Sequence, residues 1–342
     1  MPFREIVGHR KLIALLRRSI EHRSLPPSLI LSGPQGIGKR MAAMAVAQAV
    51  NCLEVKPGVE SAPDVASDWD ACGVCPACKR IARGVHPDVL ILEPNDKGNI
   101  KIDQVRDAID RSGYRPFEGR FRVTIVDQAD GLERSAQNAL LKVLEEPPSS
   151  SLFLLVTAWP DLLLPTVRSR CPQLRFRPLD AADVAAILVR QGTPEKDAVA
   201  VAALADGSVT RALEITESDI AGARDVALRV LESIAKSDDV KRRMESAKEL
   251  VAKGAGPASA ERDQLAVTLR AMSSLLRDIS AVALSADRAV LAHPDLMRPL
   301  ERLQAFAGER GQRAFLAIDQ GLAALERYTN AKLVADWVVL QL

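Results

Sequence analysis

Residues 29–40 read Leu-Ile-Leu-Ser-Gly-Pro-Gln-Gly-Ile-Gly-Lys-Arg, and no other stretch restricts the fold of this chain as much. A short apolar run, Leu29 to Leu31, enters a glycine loop, and an alanine-rich helical stretch, Met41 to Val50, leaves it. Strand, G-x-x-x-x-G-K and helix, in that order, is the arrangement of a phosphate-binding loop. Gly33, Gly36 and Gly38 let backbone N–H groups close around an anion. The helix that follows aims its positive end at the same place, and Lys39 adds a point charge suited to β- and γ-phosphates. A glycine turn that merely caps a helix accounts for neither the lysine nor the three glycines. One position departs from the pattern. A hydroxyl that ligates Mg²⁺ normally follows the lysine, and here the residue is Arg40.

At 342 residues the chain has room for two or three domains, each able to bury a core. Hydrophobic residues at 47% and charged residues at 26% describe a globular, helix-rich protein. Aromatics at 4% argue against a base-stacking platform, and a net charge of +2 excludes bulk attraction to nucleic acid, though not a local patch. No apolar run reaches the length of a membrane span, and Met1-Pro-Phe-Arg-Glu5 lacks the pattern of a signal peptide. A cytoplasmic location is therefore expected, with no membrane partner. Five cysteines in such a chain, three of them clustered, point to a metal site before disulfides.

Within residues 3–24, Leu12, Leu15, Leu16 and Ile20 recur at helical spacing, which predicts a helix ending near Arg23. Val7-Gly8-His9 ahead of it fits either the border of an adenine pocket or a plain helix entry. A second helix is expected over 39–52, followed by a Pro-, Gly- and acid-rich insert, 53–71, read as a loop. The insert delivers Cys72, Cys75 and Cys78, with Cys52 at the end of the preceding helix. C-x19-C-x2-C-x2-C supplies four thiolates, enough for a closed tetrahedral Zn²⁺ site of structural type. His86 competes with Cys52 as fourth ligand. An iron–sulfur cluster is the chemical rival, but the usual later Cys-Pro is missing. Free buried cysteines are the plain alternative.

Asp88 to Glu93 reads as a buried strand, 102–112 as a helix, and Phe121 to Asp127 as a strand ending in an acid. A carboxylate there holds Mg²⁺ in phosphate-loop proteins. The next residue, normally a glutamate that activates water, is Gln128, which cannot accept a proton. Two independent departures, Arg40 and Gln128, thus point away from hydrolysis. A helix over 134–146, a strand over 151–157 and a short strand over 173–176 complete five strands alternating with helices. That order predicts a parallel α/β sheet with ligands at the carboxyl ends of its strands. From Pro178 onward helices take over: 180–191, 194–205 and 208–217, then a helical remainder interrupted at Gly254-Ala-Gly-Pro257.

The set SGPQGIGK, CxxCxxC, VDQAD, Asn138-Ala-Leu-Leu-Lys-Val-Leu-Glu-Glu-Pro147 and Leu164-Pro-Thr-Val-Arg-Ser-Arg-Cys171 resembles the bacterial clamp-loader AAA+ subunits. The likeness extends through Gly207-Ser-Val-Thr-Arg-Ala-Leu213, so its motifs cover roughly residues 3–215. Within that family the chain looks most like the delta-prime subunits of DNA polymerase III, whose own nucleotide site is typically degenerate. The resemblance implies an AAA+ domain over 1–177 with a zinc module at 52–78, a helical lid over 178–219 and a helical collar over 220–342. It implies an arginine finger at Arg170, offered to a neighbour's ATP, with sensor positions at Thr157 and Arg211. Taken as plain residues, Arg170 fits a surface ion pair, Thr157 a strand end and Arg211 a cap partner. The nucleotide-site set is then Gly33, Gly36, Gly38, Lys39, Arg40, Asp127, Gln128, Thr157 and Arg211, with ATP and Mg²⁺ held weakly or not at all. The implied partners are the gamma/tau and delta subunits in a hetero-pentameric ring, and through them the sliding clamp and primed DNA. Two rivals remain, an active clamp-loader ATPase of the gamma/tau type and a zinc-containing nucleic-acid module with a vestigial loop.

Overall fold

The apolar runs at 28–32 and 151–157 become two adjacent strands, β1 (Ser28–Ser32) and β4 (Ser151–Thr157), buried at every position. The computed structural model describes residues 2–54, 69–95, 98–217, 220–236, 239–251, 258–285, 291–327 and 329–342. Most of the insert at 53–71 and the break at 254–257 lie outside these. β2 (Val89–Leu92), β3 (Arg122–Val126) and β5 (Gln173–Arg175) complete a sheet in the order β2-β3-β4-β1-β5, with every pairing parallel. A parallel sheet covered on both faces needs strands that are apolar throughout rather than alternating, which is how β1 and β4 read.

Alternate strand residues feed two cores. On one face Leu29, Leu31, Ile125 and Leu154 pack with α1 (Arg10–Glu21) and α2 (Lys39–Asn51). On the other, Ile30, Val126, Phe153 and Leu155 pack with α4 (Ile102–Ser112) and α5 (Arg134–Glu145). The run of alanines in α2 is buried around the helix, small side chains that let it lie close to the sheet. α3 (Pro76–Ala82) follows Cys72, is capped by Cys75 and contains Cys78, and Cys52 caps the end of α2. α1 holds the apolar positions Leu12, Leu15, Leu16 and Ile20 and ends at Glu21, two residues before the expected end near Arg23. Gly8 and His9 take left-handed backbone angles, φ 76° and 50°, so the chain turns before Arg10, and Phe3–Glu5 forms a separate 3-10 turn.

After the four-residue α6 (Pro165–Arg168) and β5 come α7 (Ala181–Arg190), α8 (Glu195–Leu204) and α9 (Val209–Glu217). The chain divides into two compact units, Met1–Leu213 and Glu214–Leu342, so α7, α8 and the start of α9 belong with the sheet. The second unit is helical. α10 (Ile220–Lys236), α11 (Val240–Leu250), α13 (Met297–Arg302), α14 (Glu309–Glu326) and α15 (Ala331–Gln341) contribute to a core centred on the long α12 (Ala258–Ala283), through Leu265, Leu269, Met272, Leu276 and Ile279. A five-stranded parallel α/β domain followed by an all-helical region is the expected fold class. No described helix is long and apolar enough to cross a membrane.

Candidate functional site

The glycine loop joins β1 to α2 at the carboxyl end of the sheet, beside the point where chain order and strand order diverge. Two of its glycines admit no side chain. A Cβ on Gly33 (φ 146°) would lie 2.3 Å from the Phe176 carbonyl oxygen, and one on Gly36 (φ 76°) 2.2 Å from Ser208 Oγ. The loop is also tied by hydrogen bonds. Gly33 N–H donates to the Thr157 carbonyl (3.2 Å), Val209 N–H donates to the Gly36 carbonyl (2.8 Å), and His9 Nε2 lies 2.8 Å from the Ile37 carbonyl oxygen. Val7-Gly8-His9 therefore abuts the loop. The buried Lys39 ammonium donates to the carbonyls of Gly33 (2.7 Å) and Pro34 (2.5 Å), which holds its charge inside the loop.

Arg40 turns out of α2 toward the ends of two strands. Its Nη1 donates to Asp127 Oδ2 at 2.9 Å, just past β3, and its Nη2 meets Glu93 Oε1 at 2.5 Å, just past β2. Burial alone would lower the arginine's pKa, but the Asp127 and Glu93 carboxylates outweigh it and hold the group above its ordinary value. The guanidinium thus engages one oxygen of the Asp127 carboxylate. Gln128 has a left-handed backbone (φ 50°), and its N–H donates to Asp127 Oδ1 at 3.1 Å. The Thr157 hydroxyl is buried and donates to Asp130 Oδ1 at 2.6 Å; the same oxygen accepts Ala158 N–H at 3.1 Å. α9 touches the loop through its first residue, but the Arg211 guanidinium pairs with Asp206 at 2.7 Å. Glu93 and Asp130 are the residues that sequence reasoning passed over. An acid closing the Val89–Leu92 strand was the available signal for Glu93; Asp130 closes the VDQAD motif, in which no role was assigned to it.

Arg170 sits elsewhere. It follows α6 and precedes β5, and its carbonyl accepts the Ser28 hydroxyl at 3.2 Å, at the amino end of β1. The backbone there is one strand length, roughly 13 Å, from the glycine loop. The guanidinium pairs with Glu145 at the end of α5 and donates to the Thr166 carbonyl at 2.8 Å, and its side chain is 32% exposed. Buried Gln137 accepts Leu164 N–H at 2.7 Å, which fixes the start of the segment.

The four cysteines form a second centre. One ligand atom from each of Cys52, Cys72, Cys75 and Cys78 lies within 4.8 Å of all the others. Four thiolates about 2.3 Å from one tetrahedral Zn²⁺ are about 3.8 Å apart, so the cluster suits a single ion better than a multinuclear iron–sulfur core. Successive N–H groups donate to sulfur: Cys72 to Cys52 (3.3 Å), Cys75 to Cys72 (3.2 Å) and Cys78 to Cys75 (3.4 Å). Despite burial, such bonds help bring the Cys75 thiol down to about 7, whereas burial pushes Cys52 and Cys78 up. His86 is not part of the cluster; its Nδ1 accepts Asp88 N–H and its Nε2 faces Glu118 at 3.2 Å. Asp70 anchors the module, its carboxylate accepting the N–H groups of Phe3 and Arg4 at 2.9 Å each and Arg17 at 3.1 Å. The fifth cysteine, Cys171, is buried in the sheet core away from these four.

The chain is similar to proteins of known family. The tau/gamma subunit of DNA polymerase III from Haemophilus influenzae is 34% identical over 239 residues, 68% of this chain and 33% of that protein. The tau subunit of Bacillus subtilis is 30% identical over 234 residues, 66% of this chain and 38% of that protein. The chain thus spans about a third of the length of these curated relatives. A solved gamma-subunit-related protein from Thermotoga maritima is 18% identical, covering 95% of this chain and 96% of that one, with a TM-score of 0.40. The profile described as "DNA polymerase III, delta subunit" matches residues 8–180, just over half of the sequence, and the chain belongs to that family.

Proposed function

We propose that this chain is a delta-prime-type subunit of the bacterial clamp loader, a non-hydrolysing AAA+ stator that completes a neighbour's ATP site. The observation that carries this reading is the Arg40 guanidinium lying between Asp127 and Glu93, where a metal would bridge the protein to phosphate. With no hydroxyl after Lys39 and no proton acceptor at Gln128, the site lacks both the metal ligand and the base of hydrolysis. Arg170, a strand length from its own loop and partly exposed, is suited to act in trans on ATP held by a gamma/tau-type neighbour. An arginine fork onto γ-phosphate oxygens accelerates phosphoryl transfer by about 10³–10⁵ in such systems. The likeness to gamma/tau relatives favours a motor subunit as the second reading, and Arg40 argues against it.

In this proposal Cys52, Cys72, Cys75 and Cys78 hold one structural Zn²⁺, and Thr157 and Arg211 are vestigial sensors, each engaged by a nearby aspartate. The helices after 178 form the lid, and residues 220–342 the collar that joins gamma/tau and delta subunits in a cytoplasmic pentamer. Loading of the sliding clamp onto primed DNA belongs to that whole complex. The test is reconstitution with motor and delta subunits. Arg170→Ala should leave assembly and zinc content unchanged but reduce the complex's ATPase and loading rates at least several-fold, with Arg170→Lys rescuing little. Wild-type loading rates by Arg170→Ala complexes would remove the in-trans role.

A further inference from the structure

The segment from Tyr114 to Phe121, between α4 and β3, is held in one shape by buried polar side chains. Asp88, whose carboxylate is fully buried, accepts the N–H groups of Phe117 (2.6 Å), Glu118 (2.9 Å) and Gly119 (2.8 Å). Buried Asn51 accepts those of Arg120 and Phe121 at 2.9 Å each and donates to the Phe121 carbonyl at 3.0 Å. Arg122 reaches back to the carbonyls of Tyr114 (3.0 Å) and Arg115 (3.0 Å). A loop so thoroughly fixed nevertheless leaves Tyr114 70% and Phe117 82% exposed, in a chain with few aromatics. Aromatic side chains presented to solvent on a fixed backbone are what a binding surface requires, because little backbone entropy remains to be lost on association.

Beside the loop, at the start of the edge strand β2, opens a cleft of about 280 Å³. Its walls are residues 84–90, with Val85, Val89 and Leu90 beside the polar His86 and Asp88, together with Ala108, Arg111 and Ser112 of α4 and Arg122 to Thr124 of β3. Arg122 belongs to both features, holding the loop and lining the cleft. Most of the charges here are paired, and those left over are mainly cations. Asp88 is satisfied by backbone N–H groups, Glu118 pairs with Arg80 at 2.6 Å, and Asp107 pairs with Arg111 at 3.0 Å. Exposed Arg83 and Arg115 have no ion-pair partner among the described residues, against one neighbouring exposed carboxylate in that condition, Asp110.

We infer that the cleft and the Tyr114–Phe117 loop together bind an acidic protein segment that carries an apolar side chain. The apolar group enters the cleft, carboxylates meet Arg111 and Arg115, and the aromatics cover the segment. Nucleic acid fits less well. The cations are interleaved with Asp107, Asp110 and Glu118 instead of forming a continuous stripe for a phosphate backbone, and the cleft is the size of one or two side chains. No nucleotide is needed for this interaction.

The test uses the full chain and a fluorescein-labelled peptide library with Asp or Glu at six positions followed by two positions of Leu or Phe. Micromolar, saturable binding is expected. It should weaken at least tenfold in Phe117→Ser, in Tyr114→Ser and in Arg111→Glu, all exposed positions whose variants should keep the wild-type circular dichroism. Replacing the acids of the library by Asn and Gln should abolish binding, and Arg40→Thr should not change it. No binding of the acidic library, or binding indifferent to these three substitutions, would overturn the inference. So would tighter binding of a twenty-residue oligothymidine that the same substitutions weaken, which would give the surface to nucleic acid.

Discussion

Arg40 and Asp127 are joined at 2.9 Å across the mouth of the glycine loop, an ion pair made by the residue that stands in place of the usual metal-ligating hydroxyl. With the arginine side chain 47% exposed, the pair contributes little to folding, about 1 kcal/mol or less. Arg40→Thr should therefore leave the melting temperature nearly unchanged. It should also free Asp127 and make nucleotide affinity depend on Mg²⁺, whereas any affinity of the wild-type chain should be the same in Mg²⁺ and in EDTA. Fluorescent ADP titrations under both conditions check this. Equal Mg²⁺ dependence in the two proteins would mean that Arg40 does not occupy the metal position.

The cysteine cluster should bind one Zn²⁺ per chain. Structural zinc in small modules contributes on the order of 10–16 kcal/mol of local folding free energy. The sheet has its own two-sided core, so chelation should disorder α3 and its surroundings while most of the fold persists. Metal analysis with thiol titration before and after EDTA is the measurement. Less than half an equivalent of zinc, or a brown iron–sulfur chromophore, would contradict it.

Acid should destabilise the first unit in two stages. Burial lowers the His86 pKa below its ordinary value, an effect that Glu118 and Asp88 only partly offset. The contribution is therefore present above about pH 6.5 and lost as pH falls toward the folded-state value. Burial pushes Asp88 up, but the backbone N–H groups of Glu118, Phe117 and Gly119, with Arg122, outweigh it and hold the carboxyl below its usual range. Its contribution is present above about pH 3.9 and lost below. Urea midpoints should fall from pH 6.5 downward, then again below pH 4. His293 in the second unit shifts the same way, so the difference between wild type and His86→Gln isolates the first stage. A His86→Gln profile parallel to wild type would exclude it.

One oxygen of Asp130 accepts both the Thr157 hydroxyl and the Ala158 N–H. Asp130→Ala leaves a buried hydroxyl without its acceptor, which costs about 1–3 kcal/mol. Chemical denaturation should show that loss, with Asp130→Asn recovering part of it. Indifference to Asp130→Ala would mean that the hydroxyl finds another acceptor.

The sheet was legible because its strands are continuous apolar runs bounded by glycine, proline and acids; the expected boundaries at 102–112 and 151–157 coincide with α4 and β4. The first helix was legible from the spacing of Leu12, Leu15, Leu16 and Ile20, although apolar spacing does not register the left-handed turn at Gly8 and His9 that precedes it. Arg40 and Gln128 could be recognised as departures from a motif, but sequence could not say what Arg40 does instead. That depends on Glu93, fifty-odd positions away and brought close only by β2 lying next to β3. Asp130 and Glu145 were hidden for the same reason. Each engages a side chain, Thr157 or Arg170, that is distant in sequence and contributed by another element.

The most direct measurement is steady-state phosphate release by the isolated chain with saturating ATP and Mg²⁺. With Arg40 on Asp127 and Glu93 and no base at Gln128, turnover should be indistinguishable from a Lys39→Ala control, and the pair Arg40→Thr with Gln128→Glu should be the change that raises it. Wild-type turnover that Lys39→Ala abolishes would show an active phosphate loop and make this chain a motor subunit.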